Sequence, residues 1–125
     1  MYRDLYRVKK RKVNEKEINL LDLIPVQNLQ SKKSEEGLFT LLKPKFSHPL
    51  LVKHLLPRLN RPHFKVKLDE IGSFIWNLCD GKNTVKEIGL QLKDKFGERV
   101  EPLYERLGFF FQDLEKNRFI TFKNL

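Results

Sequence analysis

The stretch that decides the fold is residues 68–88, which read LDEIGSFIWNLCDGKNTVKEI. Asp69 is a suitable N-cap for a helix, and the Asp80-Gly81 pair that follows is a typical helix stop. Thr84 and Glu87 have the spacing of a capping box, which marks the start of a second helix. The stretch therefore predicts two short helices joined by a tight turn, the beginning of a helix-turn-helix.

Apolar residues recur at helical spacing through both helices. The predicted buried faces are Ile71, Ile75 and Leu78 in the first helix, and Val85, Ile88, Leu92 and Phe96 in the second. Gly97 then ends the second helix. Gly89 in its middle costs up to about 1 kcal/mol relative to alanine, so we expect it to permit the close approach of a neighbouring helix.

A third helix is predicted from about Glu101 to Lys116, with Pro102 in its first turn. Its core stripe is Leu103, Leu107, Phe110, Phe111 and Leu114. Tyr104 and Phe109 fall outside this stripe, so the helix is apolar over a wider arc than one contact surface needs. These two side chains either pack against another element of the domain or face a partner.

The segments around the helices predict strands. Leu23–Asn28 is the first predicted strand, Ser31–Gly37 its turn, and Leu38–Lys43 the second strand of the hairpin. Phe64–Leu68 alternates apolar and basic residues, which predicts a third strand with one buried and one exposed face. Phe119–Phe122 is the last strand. The predicted fold class is α+β: a winged helix-turn-helix in which a three-stranded sheet precedes three helices and a short C-terminal strand.

The chain is long enough for one domain, which we place at residues 23–125. Residues 1–22 are predicted to form a basic extension with a short helix, because Asn14 and Glu17 resemble a capping pair and the helix must end before Pro25. An insert rich in proline, residues 44–63, separates the second strand from the third. Within it Leu50–Leu56 is predicted to form one short helix bounded by prolines.

The formal charge of +9 invites a nucleic-acid interpretation, but this charge is unevenly distributed. Residues 1–16 carry seven basic and two acidic side chains, and residues 17–68 carry nine basic and four acidic ones. Residues 69–125, the helical part, carry nine basic against ten acidic side chains. A helix that enters a DNA groove is expected to be basic, so the charge disfavours DNA binding by the third helix.

Catalytic and metal chemistry find little support in the sequence. Cys79 is the one cysteine and follows an apolar helix, where a small buried thiol is commoner than a nucleophile. His48, His54 and His63 lack the spacing of a metal site, and the glycines are too widely spaced for a phosphate loop. We therefore predict a protein that is not an enzyme and holds no metal. The chain also lacks an apolar run long enough to cross a membrane, and we expect it in a reducing cytoplasm.

Several of these features together resemble the family of the coenzyme pyrroloquinoline quinone (PQQ) synthesis protein D. They are the run from Lys67 to Gly81 with its Asp-Gly turn, the Thr-Val-x-Glu-Ile start of the second helix at Thr84–Ile88, and the apolar third helix from Leu103 to Leu114. The resemblance extends from about Leu23 to Phe122. It is specific from Leu68 onwards, and it rests on the order and spacing of these features.

The resemblance implies a non-enzymatic peptide chaperone, a recognition element for ribosomally made and post-translationally modified peptides. Such proteins bind the leader segment of a precursor peptide as an added strand on the third strand, with its side chains against the third helix. They present the peptide to a modifying enzyme, which in the name-giving pathway is a radical S-adenosylmethionine protein. No cofactor of its own is implied. The extension and the insert depart from short family members, so the PQQ pathway itself is not assigned.

Carried over to this chain, the resemblance implies a peptide-binding site on the third strand and the third helix. Its residues would be Phe64, Lys65, Val66, Lys67 and Leu68 on the strand, and Tyr104, Arg106, Leu107 and Phe111 on the helix. Lys65 and Lys67 would favour an acidic leader, or equally would keep the strand edge from associating with itself. Arg106 would pair with a carboxylate. The alternative function is that of a winged-helix transcriptional regulator that binds DNA.

Overall fold

The computed structural model describes residues 7–9, 17–45, 53, 58–59 and 63–125. Among these residues the longer α-helices are α1, Glu70–Leu78, α2, Val85–Phe96, and α3, Leu103–Lys116. α1 and α2 begin where the capping signals predict, whereas α3 begins two residues after the predicted Glu101, and Pro102 is its N-cap residue and not part of its first turn. The predicted N-cap of α1 is confirmed by the Asp69 carboxylate, whose Oδ1 accepts the Gly72 N–H at 2.7 Å. A short 3-10 helix, Gly97–Val100, connects α2 to α3.

The capping box at the start of α2 is also confirmed. The Glu87 N–H donates to Thr84 Oγ1 at 3.1 Å, and the Thr84 N–H donates to Glu87 Oε1 at 2.9 Å. Each bond satisfies a main-chain donor that the first turn of a helix leaves unpaired. Gly97, with a φ of 60°, is the C-cap of α2 as the sequence predicts, and its N–H donates to the Lys93 carbonyl. α1 ends at Leu78, and Gly81, with a φ of 80°, lies in the turn that follows, where its N–H donates to the Pro25 carbonyl at 3.1 Å.

The chain forms two compact units, and the first comprises residues 1–28 and 74–125. Its strands form two antiparallel pairs. In the first pair β1, Arg7–Lys9, lies beside β2, Glu17–Asn19, and in the second β3, Pro25–Gln27, lies beside β7, Ile120–Phe122. The buried core of this unit is built from α2, α3 and the segments beside them. Its large members include Leu20, Leu23, Trp76, Ile88, Leu107, Phe111 and Ile120.

The close helix approach predicted at Gly89 is confirmed. A Cβ added at Gly89 would lie 2.8 Å from Leu107 Cδ1, closer than side-chain carbons can approach. Gly89 and Leu107 are both buried, so α2 and α3 are in direct contact at this point. The interface between the two helices therefore depends on the absence of a side chain.

The second unit, residues 29–73, contains a three-stranded antiparallel sheet. Its strands are β4, Gln30–Lys33, β5, Phe39–Pro44, and β6, His63–Lys67, in the order β4-β5-β6. A tight turn joins β4 to β5: the Gly37 N–H donates to the Ser34 carbonyl at 3.0 Å, and the Ser34 N–H donates to the Leu38 carbonyl at 2.8 Å. The fold class is α+β as predicted, with a three-stranded sheet, three helices and a final strand.

Two details of the predicted sheet are wrong. The first concerns Ser31–Gly37, which was expected to be a turn, whereas β4 continues to Lys33 and the turn begins at Ser34. The second concerns the strand expected at Leu23–Asn28, which does not join the hairpin. Its central residues pair instead with β7 on one side, and the Gln27 N–H donates to the Cys79 carbonyl at 3.0 Å on the other.

The short helix expected before Pro25 is wrong over the residues that the structure describes. Glu17–Asn19 is a strand, and Leu20–Asp22 is a single turn of 3-10 helix. The Asn19 side chain caps this turn, because its Oδ1 accepts the Leu21 N–H at 3.0 Å. Pairing with β1 competes with helix here, and a local capping signal does not reveal such a partner.

Other predictions fall partly or wholly outside the described residues. They include the helix at Leu50–Leu56, apart from Lys53, most of the insert at 44–63, and Asn14. The boundary between the extension and the domain at residue 22 stays a prediction. No helix in the described part of the chain is long and apolar enough to cross a membrane.

Candidate peptide-binding site

Among the strands of the described residues, β6 lies at one edge of its sheet, with β5 as its neighbour. The register pairs Val66 with Leu41 and Phe64 with Lys43, and the Leu68 N–H donates to the Phe39 carbonyl at 2.9 Å. In an antiparallel pair, hydrogen-bonded and non-hydrogen-bonded positions alternate along the strand. Val66 and Phe64 therefore bond to β5 together with Leu68.

The main-chain groups of Lys65 and Lys67 consequently point away from β5, toward the outer edge of the sheet. Edge N–H and C=O groups of this kind are a template on which another extended chain can pair. Both lysine side chains are exposed. The strand that is predicted to receive a leader peptide thus directs the main-chain N–H and C=O groups of two predicted site residues, Lys65 and Lys67, outward.

The two faces of this sheet differ in burial. Directly paired residues share a face, so Lys67 lies in a row with Thr40 and Lys32, and Lys65 lies in a row with Leu42 and Gln30. None of these residues is buried. The opposite face holds Leu41, which is fully buried, in a row with Ser31 and Val66. We call the first one the lysine face and the second the core face.

Phe64 is an exception to the predicted burial of the apolar side of this strand. Val66 and Leu68 are half-buried as expected, whereas 55% of Phe64 is exposed. Phe64 pairs with Lys43 near the end of β5, beyond the row of Leu41, and the Lys45 ammonium lies 5.4 Å from the centre of its ring. The expectation of a fully buried face is wrong at this residue, and an aromatic ring is left accessible at the edge of the sheet.

The end of β6 is held in place by a serine that the sequence reasoning missed. Ser73, which is 3% exposed, accepts the Phe39 N–H through Oγ at 2.8 Å. Its hydroxyl lies 3.4 Å from the Leu68 carbonyl, to which it can donate. The Ser73 hydroxyl thus lies between the Phe39 N–H and the Leu68 carbonyl, at the point where β6 ends and α1 begins, and takes the place of a direct main-chain hydrogen bond between them. A serine within an apolar helical stretch was the signal available in the sequence.

The predicted site residues on α3 divide into exposed and buried ones. Tyr104 is 43% exposed and Arg106 is exposed, whereas Leu107 and Phe111 are 1% and 0% exposed. Arg106 Nη1 donates to the Arg99 carbonyl at 2.6 Å, so this guanidinium also holds the end of the 3-10 helix. In this structure Leu107 and Phe111 pack in the core of their unit, and Tyr104 and Arg106 are accessible to a ligand.

Phe109 is the most exposed of the large apolar side chains of α3, at 58%. It lies on the side of the helix opposite Leu107, in agreement with its predicted position outside the core stripe. A shallow surface depression surrounds it, lined by Arg106, Phe109, Phe110, Gln112, Asp113 and Lys116. Phe110, expected in the core stripe, is half-buried.

The environment of Cys79 is that of a structural thiol. The side chain is fully buried, and Sγ donates to the Ile75 carbonyl at 3.3 Å. Burial raises the pKa of the thiol to about 12, and the negative charge of Asp80 contributes to the increase. The thiolate needed for nucleophilic attack is therefore scarce near neutral pH.

Metal ligands do not gather in the described residues, which contain no cluster of three or more His, Cys, Asp or Glu side chains suited to an ion. His48 and His54 lie outside those residues.

The fold and the candidate site define a class: a small α+β domain of winged-helix type with an edge strand. Residues 60–120 match the family described as Coenzyme PQQ synthesis protein D (PqqD), which is the family that the sequence resembles. The match includes β6 and all three helices. No curated protein and no solved structure matches the chain.

The family match carries a functional indication of its own. PqqD family proteins are in general non-catalytic chaperones. The match suggests a precursor-peptide-binding role alongside a modifying enzyme.

Proposed function

We propose that this chain binds the leader segment of a ribosomally made precursor peptide as an added strand on β6 and presents the peptide to a modifying enzyme. The observation that carries the proposal is the outward direction of the main-chain groups of Lys65 and Lys67. Main-chain hydrogen bonds of this kind give affinity to any extended peptide, and the neighbouring side chains give specificity.

The resemblance assigns side chains on β6 and side chains on α3 to the proposed site, and each set lies within its own unit. Phe64 offers an exposed aromatic ring at the strand edge, and Tyr104 and Arg106 offer an aromatic ring and a positive charge on α3. Arg106 is proposed to pair with a leader carboxylate. Leu107 and Phe111 are proposed to act from the core, where they fix the surface of α3 that the leader meets.

The chemistry in this proposal belongs to the partner enzyme. The resemblance implies a radical S-adenosylmethionine protein, and this chain would need no cofactor to bind and present a peptide. The single cysteine is in keeping with a reducing cytoplasm, which is the proposed setting.

The DNA-binding alternative is disfavoured by the composition of α3. Its charged residues are Glu105, Asp113 and Glu115 against Arg106 and Lys116. A recognition helix approaches phosphates on both sides of a groove, and a net negative helix is repelled by them.

The proposal is tested by titrating the full chain with labelled synthetic peptides that correspond to short reading frames beside its gene. We expect saturable binding that a Lys65→Pro/Lys67→Pro variant weakens by roughly tenfold or more, since proline removes two edge N–H donors worth about 1 kcal/mol each. Duplex DNA of random sequence serves as the control ligand. Tight DNA binding with no peptide binding would contradict the proposal.

A further inference from the structure

The lysine face of the sheet is uniformly basic where the structure describes it. Its charged members are Lys32, Lys65 and Lys67, and the other residues on this face, Gln30, Thr40, Leu42, Pro44 and His63, contribute no carboxylate. Lys65 and Lys67 are the two charges at the β6 edge, whereas Lys32 lies on β4, two strands away. An incoming strand would thus have two lysines as immediate neighbours on one of its faces.

On the other side of the same edge the strand residues are apolar, and the positive charges nearest to them are at the Phe64 end, where Lys43 pairs with Phe64 and Lys45 Nζ lies 5.4 Å from the centre of the Phe64 ring. Phe64 and Val66 point to the core face, and 55% of Phe64 is accessible. Successive side chains of any strand alternate between the two faces of its sheet. A peptide added to β6 therefore places every second side chain beside Lys65 and Lys67, and the remaining ones beside Phe64 and Val66.

From these neighbours we infer that β6 selects leaders by a pattern of period two, in which acidic residues at positions i and i+2 have apolar residues between and beside them. This inference rests on the proposed function and specifies the class of peptide that the site accepts. A slip of the peptide by one residue would place a carboxylate against Val66, whose cross-strand partner is Leu41, and would place the apolar groups of the peptide against Lys65 and Lys67. The pattern therefore fixes the register of the peptide as well as its identity.

The test begins with a display library of random 12-residue peptides, from which binders to the immobilised full chain are selected. Synthetic copies of the selected peptides are then titrated with the chain in solution. Selected peptides are expected to carry Asp or Glu at i and i+2 with apolar residues between. Moving one acid by a single position should weaken binding about tenfold, since opposite charges directly across two strands attract and an apolar neighbour does not.

Charge-reversed variants provide the matched comparison. The Lys65→Glu/Lys67→Glu variant should bind the acidic peptides about tenfold more weakly, or weaker still, than the wild type does. It should bind peptide copies that carry Lys at i and i+2 more tightly than the wild type does. Lys32→Glu/Lys33→Glu changes the net charge of the chain by the same amount on the far strand of the sheet. This control should shift affinity by less than about threefold, the small effect expected of distant exposed charges in salt.

The outcomes separate the inference from the proposed function. N-methylation of alternate peptide amides tests strand addition without altering the protein, and binding should fall at every second position. Peptides that show this alternation but carry no acid pattern, or that tolerate Lys65→Glu/Lys67→Glu as well as the control, would overturn the inference and leave the function intact. If no peptide binds, or if methylation has no alternating effect, both are overturned.

Discussion

Gly89 illustrates how one residue positions the helix on which part of the proposed site lies. Because a Cβ at this position would lie 2.8 Å from Leu107 Cδ1, any side chain here requires the end of the Leu107 side chain to shift. Leu107 is 1% exposed and has little room to move away. The position of α3, and with it the surface that presents Tyr104 and Arg106, is therefore sensitive to this glycine.

We predict that Gly89→Val destabilises the fold by about 1–3 kcal/mol, the usual cost of forcing extra carbons into a packed interior. Leu90→Val introduces the same β-branched residue at the next position of α2, where the side chain is 55% exposed. This control should cost only about 0.5 kcal/mol. Urea unfolding of the two variants measures the difference, and equal losses of stability would contradict the close contact.

Cys79 gives a prediction with a defined dependence on pH. Its pKa of about 12 means that the folded chain keeps this proton at pH 8, so alkylation by iodoacetamide should be slow until denaturant is added. An unfolded thiol loses its proton near pH 9.0, and stability should therefore fall as the pH rises from that value toward 12. Rapid alkylation of the folded chain at pH 8 would contradict the burial of Cys79.

At the scale of the element, β6 and its neighbour β5 set which main-chain groups are available. We predict that Lys65→Pro changes stability by less than about 1 kcal/mol, because edge strands tolerate proline where the N–H faces outward. Val66→Pro should cost about 1–3 kcal/mol, because it removes a bond to β5 and leaves a carbonyl unpaired. Denaturant unfolding compares them, and an equal effect would mean that the Lys65 amide bonds to β5.

The elements that the sequence predicts correctly are those specified by local signals. Asp69, Thr84 with Glu87, and Gly97 each cap a helix through contacts within a few residues. The strand at Pro25–Gln27 was found, but its partner was not. Its pairing with Ile120–Phe122 joins residues far apart in sequence, and such pairing is decided by tertiary packing that a local pattern does not contain.

The candidate site was predictable to a similar extent. Period-two alternation revealed β6 and placed Lys65 and Lys67 on an exposed face, as the structure has them. Exposure of Phe64 and burial of Leu107 depend on where each side chain lies relative to the rest of its unit. Helical spacing gave the core stripe of α3, but it could not separate the residues that hold the helix from those that a ligand can reach.

At the scale of the whole molecule, the excess positive charge lies outside the helical part of the chain, because residues 69–125 carry nine basic against ten acidic side chains. We predict that the chain binds duplex DNA only weakly, through its basic residues outside the helices, and loses this binding between about 50 and 200 mM salt. Peptide binding by main-chain bonds should persist over the same range. Fluorescence anisotropy with both labelled ligands measures this, and salt-resistant, sequence-specific DNA binding would favour the regulator.

The central claim is that a peptide adds to the outer edge of β6, and amide hydrogen exchange followed by NMR tests it residue by residue. In the free chain the amides of Phe64 and Val66 should already be protected by β5, while those of Lys65 and Lys67 exchange quickly. On saturation with the tightest peptide from the selection, Lys65 and Lys67 should become protected. Unchanged exchange at these two amides, with the peptide demonstrably bound, would contradict the account.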